Sequence, residues 1–252
     1  MYIDGSWLFK QCGKDGILTE KVYYDTFRLD FGKLVTEIQK ELSQYCDGLP
    51  QPRNLWYYSS CIVDIPPTDK DGSDLLWLKA VSESKRKTKE SAESAGFNVD
   101  GFFEVKYKWW MPQSISDGLY QEKMVDTSLV ARMVQSCITY PEDFHVLITG
   151  DMDMLPAIQL TVPTYLDSVI LLTTHPDQWD RNNQQTSFAL NNFNFKYDPF
   201  YFDDIVGEIL QGNHIHRCDK CNLYFKTTKP IPKGKRKFCE EHQNRPARIR
   251  TR

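Results

Sequence analysis

Apolar residues recur along this chain in two rhythms, and the rhythms alternate. Phe31, Leu34, Val35, Ile38, Leu42 and Tyr45 fall at helical spacing and predict a helix over about 31–46, with Lys33, Glu37, Lys40 and Glu41 outward. Leu55 to Val63 is rich in aromatic and β-branched residues and reads as a strand that Pro66-Pro67 ends. Leu75 to Gly96 reads as a second helix, and its Lys85-Arg86-Lys87-Thr88-Lys89 run is most simply a solvated face. Phe102 to Val105 predicts another strand, and Met111 to Tyr120 a loop. From Lys123 a third helix opens, with Val125, Leu129, Val130, Met133, Val134 and Cys137 as its stripe. Val146 to Thr149 reads as a strand buried on both faces, Ala157 to Leu166 as a helix and Asp167 to Thr173 as a strand. Tyr2-Ile3 makes a short first strand that ends at Asp4-Gly5-Ser6. Strands alternating with helices define an α/β chain with a mostly parallel sheet, whose ligand site is expected beyond the carboxyl ends of the strands.

Composition adds a second part. The 252 residues, 40% of them hydrophobic, suffice for one sizeable core plus an appendage. Net charge is −3, but from Arg217 to Arg252 twelve Lys or Arg face three Asp or Glu, a net of +9, while the first 216 residues carry 19 basic against 31 acidic groups, a net of −12. A basic arm attracts phosphate backbones; an acidic body repels them unless a cation offsets its field. No stretch approaches the roughly 18 apolar residues of a membrane span, and Met1-Tyr2-Ile3-Asp4 lacks the start of a secretory signal, so a cytoplasmic protein without membrane contact is expected. Self-association is left open.

The candidate chemistry lies at strand tips. Gly150 permits close backbone approach, and Asp151 and Asp153, two apart after the 146–149 strand, can turn toward one hard cation. Asp4 stands in the same way after the first strand, though it is equally suited to cap the following helix. Asp126, in the first turn of the third helix, is favoured there by the helix dipole and gains meaning only with the others. Four carboxylates meeting at one rim would repel one another, and one or two Mg²⁺ or Mn²⁺ ions would offset that and activate water against a phosphodiester. Lys106-Tyr107-Lys108-Trp109-Trp110 interleaves cations with aromatics, a pattern suited to stacking on single-stranded bases; the alternative is a strand edge whose rings pack inward.

Three segments together resemble the NYN domain, a branch of the PIN-like nuclease superfamily: Ile3-Asp4-Gly5-Ser6-Trp7, Glu122-Lys123-Met124-Val125-Asp126 and Thr149-Gly150-Asp151-Met152-Asp153. Ser187-Phe188-Ala189-Leu190-Asn191-Asn192-Phe193 is loosely similar to the family's closing segment. The resemblance covers about residues 1–205. It implies a three-layer Rossmann-like sheet and a metal-dependent endoribonuclease in which Asp4, Asp126, Asp151 and Asp153 hold Mg²⁺ or Mn²⁺, directly or through water, and orient the attacking water toward RNA. Trp7 stands where the family has asparagine, and only three residues precede Asp4. These departures keep a second reading in view, an RNA-binding or scaffold protein of the same fold with weak turnover or none.

Residues 206–252 form the appendage. Cys218-Asp219-Lys220-Cys221 and Cys239-Glu240-Glu241-His242 are two knuckles whose four donors match a structural Zn²⁺ site, and they resemble a zinc ribbon. An odd total of seven cysteines argues against a disulfide framework. His214 and His216 precede the first knuckle and are not needed to complete the set. Lys226, Lys229, Lys233, Lys235, Arg236 and Lys237 between the knuckles, Arg245, Arg248, Arg250 and Arg252 after them, and Lys123 in the body are the expected nucleic-acid contacts, made mainly to phosphates.

Overall fold

The computed structural model describes residues 1–12, 29–111, 124–156, 159, 168–175, 195–211, 215–221, 223–227, 229, 231–232 and 234–243. Its centre is a sheet of six parallel strands: β1 (Tyr2–Asp4), β2 (Trp56–Val63), β3 (Asn98–Lys106), β4 (His145–Ile148), β5 (Val169–Thr173) and β6 (Phe200–Tyr201). In space they run β3-β2-β1-β4-β5-β6, so the order reverses between β1 and β4. Open parallel sheets bind ligands in the crevice beyond the carboxyl ends at such a switch. The expected α/β class is present.

Strand alternation sends residues to two cores. Ile3, Tyr57, Ile148, Ile170 and Leu172 join one buried cluster with Leu34, Ile38 and Leu42 of α2 (Phe31–Leu42), whereas Tyr2, Tyr58, Leu147, Val169 and Leu171 join another with Val125, Leu129 and Met133 of α4 (Val125–Thr139). Helices therefore cover both faces, and β4 and β5 are buried at every position. α1 (Gly5–Gln11) follows β1 directly and α3 (Leu76–Ser94) connects β2 to β3. Close approach fixes glycines on the sheet: a Cβ at Gly5 would overlap the Tyr57 ring, and one at Gly101 the Tyr58 ring.

Some expectations need adjusting. β3 begins at Asn98, four residues before the apolar Phe102-Phe103 pair that marks it in sequence, because its first residues pair with β2. β6 and α5 (Phe202–Ile209) lie beyond any predicted element, and α5 runs across residue 205, where the body was expected to end. Its Phe202, Ile205, Val206 and Ile209 are buried in the first cluster. The basic appendage continues from there. β7 (Ile215–Arg217) and β8 (Tyr224–Lys226) pair antiparallel, α6 (Glu240–Gln243) follows, and Cys218, Tyr224, Phe225 and Cys239 belong to the same cluster as α5. Tyr224 packs on Gly207 so closely that an added Cβ would meet its ring at 2.8 Å, and its hydroxyl donates to the Asp203 carbonyl. The appendage is seated on the body. The predicted loop over 111–120 after Met111, most of the predicted helix 157–166 and the segment 187–193 lie outside the described residues. Among the described residues no helix is long and apolar enough to cross a membrane.

Candidate metal centre and acidic rim

The four aspartates are distributed along the carboxyl rim. Asp4, 4% exposed, ends β1 and caps α1: its Oδ1 accepts from Ser6 N (3.1 Å) and Trp7 N (2.9 Å), as a helix start with unsatisfied N–H groups requires. Its Oδ2 accepts from Thr149 Oγ1 (2.8 Å), just past β4. Thr149 Oγ1 in turn accepts from Asp151 N (2.9 Å), and Asp151 Oδ1 from Asp153 N (3.0 Å). One hydrogen-bonded chain thus crosses the strand-order switch, from a buried carboxylate at Asp4 to a half-buried one at Asp151 and an exposed one at Asp153. Asp126, also exposed, occupies the first turn of α4, a helix that leads from the carboxyl end of β3 to the start of β4 and touches the Met152–Met154 turn. Its helix therefore starts on the same rim. The four do not close into a compact ligand group; among the described residues, three or more candidate ligand side chains gather in one place only, at the cysteines below. The reason lies in the hydrogen bonds, since Asp4 serves the α1 cap and Thr149 while Asp151 turns back to Asp153 N.

Thr149 and Trp7 are the residues that sequence reasoning underweights here. Thr149, inside the Thr-Gly-Asp motif, carries the link between Asp4 and Asp151. The Trp7 indole lies against Gly150, where an added Cβ would overlap its Nε1, and its ring meets Phe202 edge-on at 5.9 Å. Gly150 thus makes the close approach expected of it, to a side chain of the chain itself. Ser6 Oγ and Ser59 Oγ lie 3.0 Å apart nearby. One strand over, the His175 ring stacks on Tyr201 with centroids 3.7 Å apart, and its Nε2 lies 3.2 Å from Asp204 Oδ2, while Asp204 Oδ1 takes Arg217 Nη1 at 3.2 Å. His175 N donates to Asp203 Oδ2 (2.8 Å). These bonds tie the rim to the appendage.

In the appendage the structure brings Cys218, Cys221, Cys239 and His242 together, with all four donor atoms within 4.8 Å of one another. Cys221 Sγ and Cys239 Sγ are 3.7 Å apart, Cys218 Sγ and His242 Nδ1 3.5 Å, and Cys239 Sγ and His242 Nδ1 3.2 Å. Metal–ligand bonds of about 2.3 Å to sulfur and 2.0 Å to nitrogen at the tetrahedral angle would set sulfurs about 3.8 Å apart and sulfur and nitrogen about 3.5 Å apart. The donor set and its spacing fit zinc. Burial pushes the Cys218 thiol up, but backbone N–H groups of Cys239, Cys221 and Lys220 more than offset it and bring the group down to about 6. Burial, followed by its interactions with Cys218 and Cys239, drives Cys221 the other way, up to about 12. A divalent cation at their centre would relieve that crowding and hold all three as thiolates. The knuckles are also locked by backbone: Asp219 N donates to Lys237 O, and Lys237 N to Asp219 Oδ2, each at 2.8 Å. His216 is on β7 with its ring beside Phe225, and the four donors close without it.

Lys229, Lys235 and Arg236 are exposed, and Lys226 and Lys237 half-buried. Lys123, Lys233, His214 and the arginines from 245 onward lie outside the described residues. No known protein family, curated protein or solved structure matches the chain.

Proposed function

We propose that the chain is a metal-dependent ribonuclease of the PIN-like, NYN type, whose acidic rim hydrolyses RNA phosphodiesters and whose basic zinc module holds the nucleic acid. The observation that carries the reading is the hydrogen-bonded chain Asp4–Thr149–Asp151–Asp153 at the strand-order switch, with Asp126 on the same rim. The order β3-β2-β1-β4-β5-β6 supports it, since that is the order of doubly wound Rossmann folds, and so do the three NYN-like motifs in sequence order.

The donors of the rim are those that magnesium and manganese take. Mg²⁺ keeps several waters and takes one or two carboxylates, so a rim with Asp151 and Asp153 open to solvent and Asp4 behind them suits such an ion without a compact cage. When bound, it would supply a hydroxide-like water at neutral pH and charge to offset the phosphate. The chain's own contributions are separable. Asp4 and Thr149 hold the Asp151 turn in place, Asp153 and Asp126 extend the acidic surface, and the lysines and Arg236 between the knuckles bind phosphates without sequence choice.

Labelled single- and double-stranded RNA and DNA incubated with the protein and Mn²⁺, Mg²⁺ or chelator test the reading. Asp151→Asn should lose cleavage and still bind RNA. One observation favours a second reading: the Trp7 indole is packed against Gly150, beside the acidic turn. If wild-type protein binds RNA and cuts none with either metal, it is an RNA-binding protein on a nuclease-like fold.

A further inference from the structure

Among the described residues three tryptophans stand out from the surface, Trp77 at 48%, Trp109 at 57% and Trp110 at 43% exposure. Exposing rings of this size is costly, and aromatics displayed to water commonly mark a binding surface. Trp109 and Trp110 follow β3, so the inward-packing alternative does not describe them. They stand on the carboxyl side of the sheet. β3 ends at Lys106, which pairs with Val63, five residues past Tyr58, the β2 partner of Asp4. Five residues along a strand and two strands across place the end of β3 roughly 20 Å from Asp4, and the pair follows three and four residues later.

Each ring has a cation over it: Lys70 Nζ lies 4.3 Å from the centre of Trp109, and Lys108 Nζ 5.4 Å from that of Trp110. Lys106 is 3.9 Å from Asp64. Carboxylates stand nearby, with Asp69 accepting from Lys70 N, Asp71 from Ser73 N and Oγ, and Asp74 from Leu76 N at the start of α3, so the platform's hold comes chiefly from the rings. We infer that Trp109 and Trp110, with Lys70 and Lys108, form a base-stacking platform for single-stranded RNA beside the acidic rim. The inference rests on the nucleic-acid reading above and gives it a substrate form. A stacked base meets a ring face while its phosphates meet ammonium groups, and stacking contributes about 1–3 kcal/mol per base with little sequence choice. A protein partner fits less well, because lysine is depleted from the cores of protein interfaces.

The test is binding of a short labelled single-stranded RNA by the zinc-loaded full chain without added Mg²⁺ or Mn²⁺, so that cleavage plays no part. W109A/W110A should lose about tenfold or more in affinity, with duplex RNA binding little changed and the melting temperature as in wild type. W109F/W110F should keep most of the affinity, and the quenching of tryptophan emission on binding should shrink in it. Equal affinity of wild type and the alanine pair overturns the platform, as does absence of single-strand binding by wild type. A change in self-association with RNA affinity unchanged also overturns it and makes the pair a protein contact. Failure of wild type to cut with Mg²⁺ or Mn²⁺ would instead remove the nuclease reading and leave the platform standing.

Discussion

Replacing Cys221 by serine removes one of the four donors and should do more than release zinc. Apparent zinc affinities in small Cys/His modules amount to about 10–16 kcal/mol, most of it realised as folding of the segment that carries the donors. Here that segment also covers the body. Tyr224 and Phe225, 5% and 6% exposed, lie in the cluster that includes Phe202, Val206 and Ile209, and the Tyr224 hydroxyl donates to Asp203. Burying two such side chains contributes about 1.5–3 kcal/mol each and the hydrogen bond about 1 kcal/mol more. Unseating the module therefore removes up to about 4–7 kcal/mol, a large part of the 5–15 kcal/mol that holds a typical domain together. At about 2–4 °C per kcal/mol for a chain of this size, the melting temperature should fall by on the order of 10–20 °C. Zinc stoichiometry and thermal unfolding, measured on the same preparations, check both halves. Full zinc content in the variant would refute the four-donor site. Lost zinc with an unchanged melting temperature would refute the seating.

Asp4→Ala should destabilise by about 1–3 kcal/mol in chemical denaturation, from the lost α1 cap together with the Thr149 hydroxyl's lost acceptor. Asp4→Asn keeps an acceptor for Ser6 N and Trp7 N and can donate to Thr149, so it should unfold near the wild-type midpoint while losing RNA cleavage; undiminished cleavage would make Asp4 purely structural. His145 gives a pH signature. Burial holds it below its ordinary value of 6.5, against the Tyr140 carbonyl, which accepts from Nε2 at 3.0 Å. The unfolded chain then takes up a proton that the folded chain refuses, so this contribution to stability is full above pH 6.5 and is lost as pH falls toward the depressed value. His145→Gln should flatten the decline of unfolding free energy just below pH 6.5 at constant zinc, and an identical slope in both proteins would show that another group titrates there.

Where local spacing carries the physics, the chain could be read directly. The stripe from Val125 to Cys137 and the run from Val146 to Ile148 announce α4 and β4 because periodicity follows from burial on one face or two. The Cys218, Cys221, Cys239 and His242 cluster was legible for a related reason: a tetrahedral site built from two short knuckles fixes donor spacing within each knuckle. α5 had a signal too, with Phe202, Ile205, Val206 and Ile209 at helical spacing. Nothing local predicts that Tyr224 rests on Gly207. The arrangement of Asp4 and Asp151 depends on the Thr149 hydroxyl between them, a contact spanning 145 residues that no local spacing encodes. The exposure of Trp109 and Trp110 likewise follows from where β3 stops, which no periodicity within those five residues encodes.

The junction between body and appendage has a geometric consequence. Because Arg217 reaches Asp204 and Tyr224 sits on α5, Lys226, Lys235 and Arg236 are carried at a constant bearing from the acids instead of swinging on a leash. Under the proposed ribonuclease activity, a strand gripped at those cations and cut at the acids would be measured, as by a ruler. Its fragments would share one length counted from the gripped point, where a loosely tethered anchor would yield a smear.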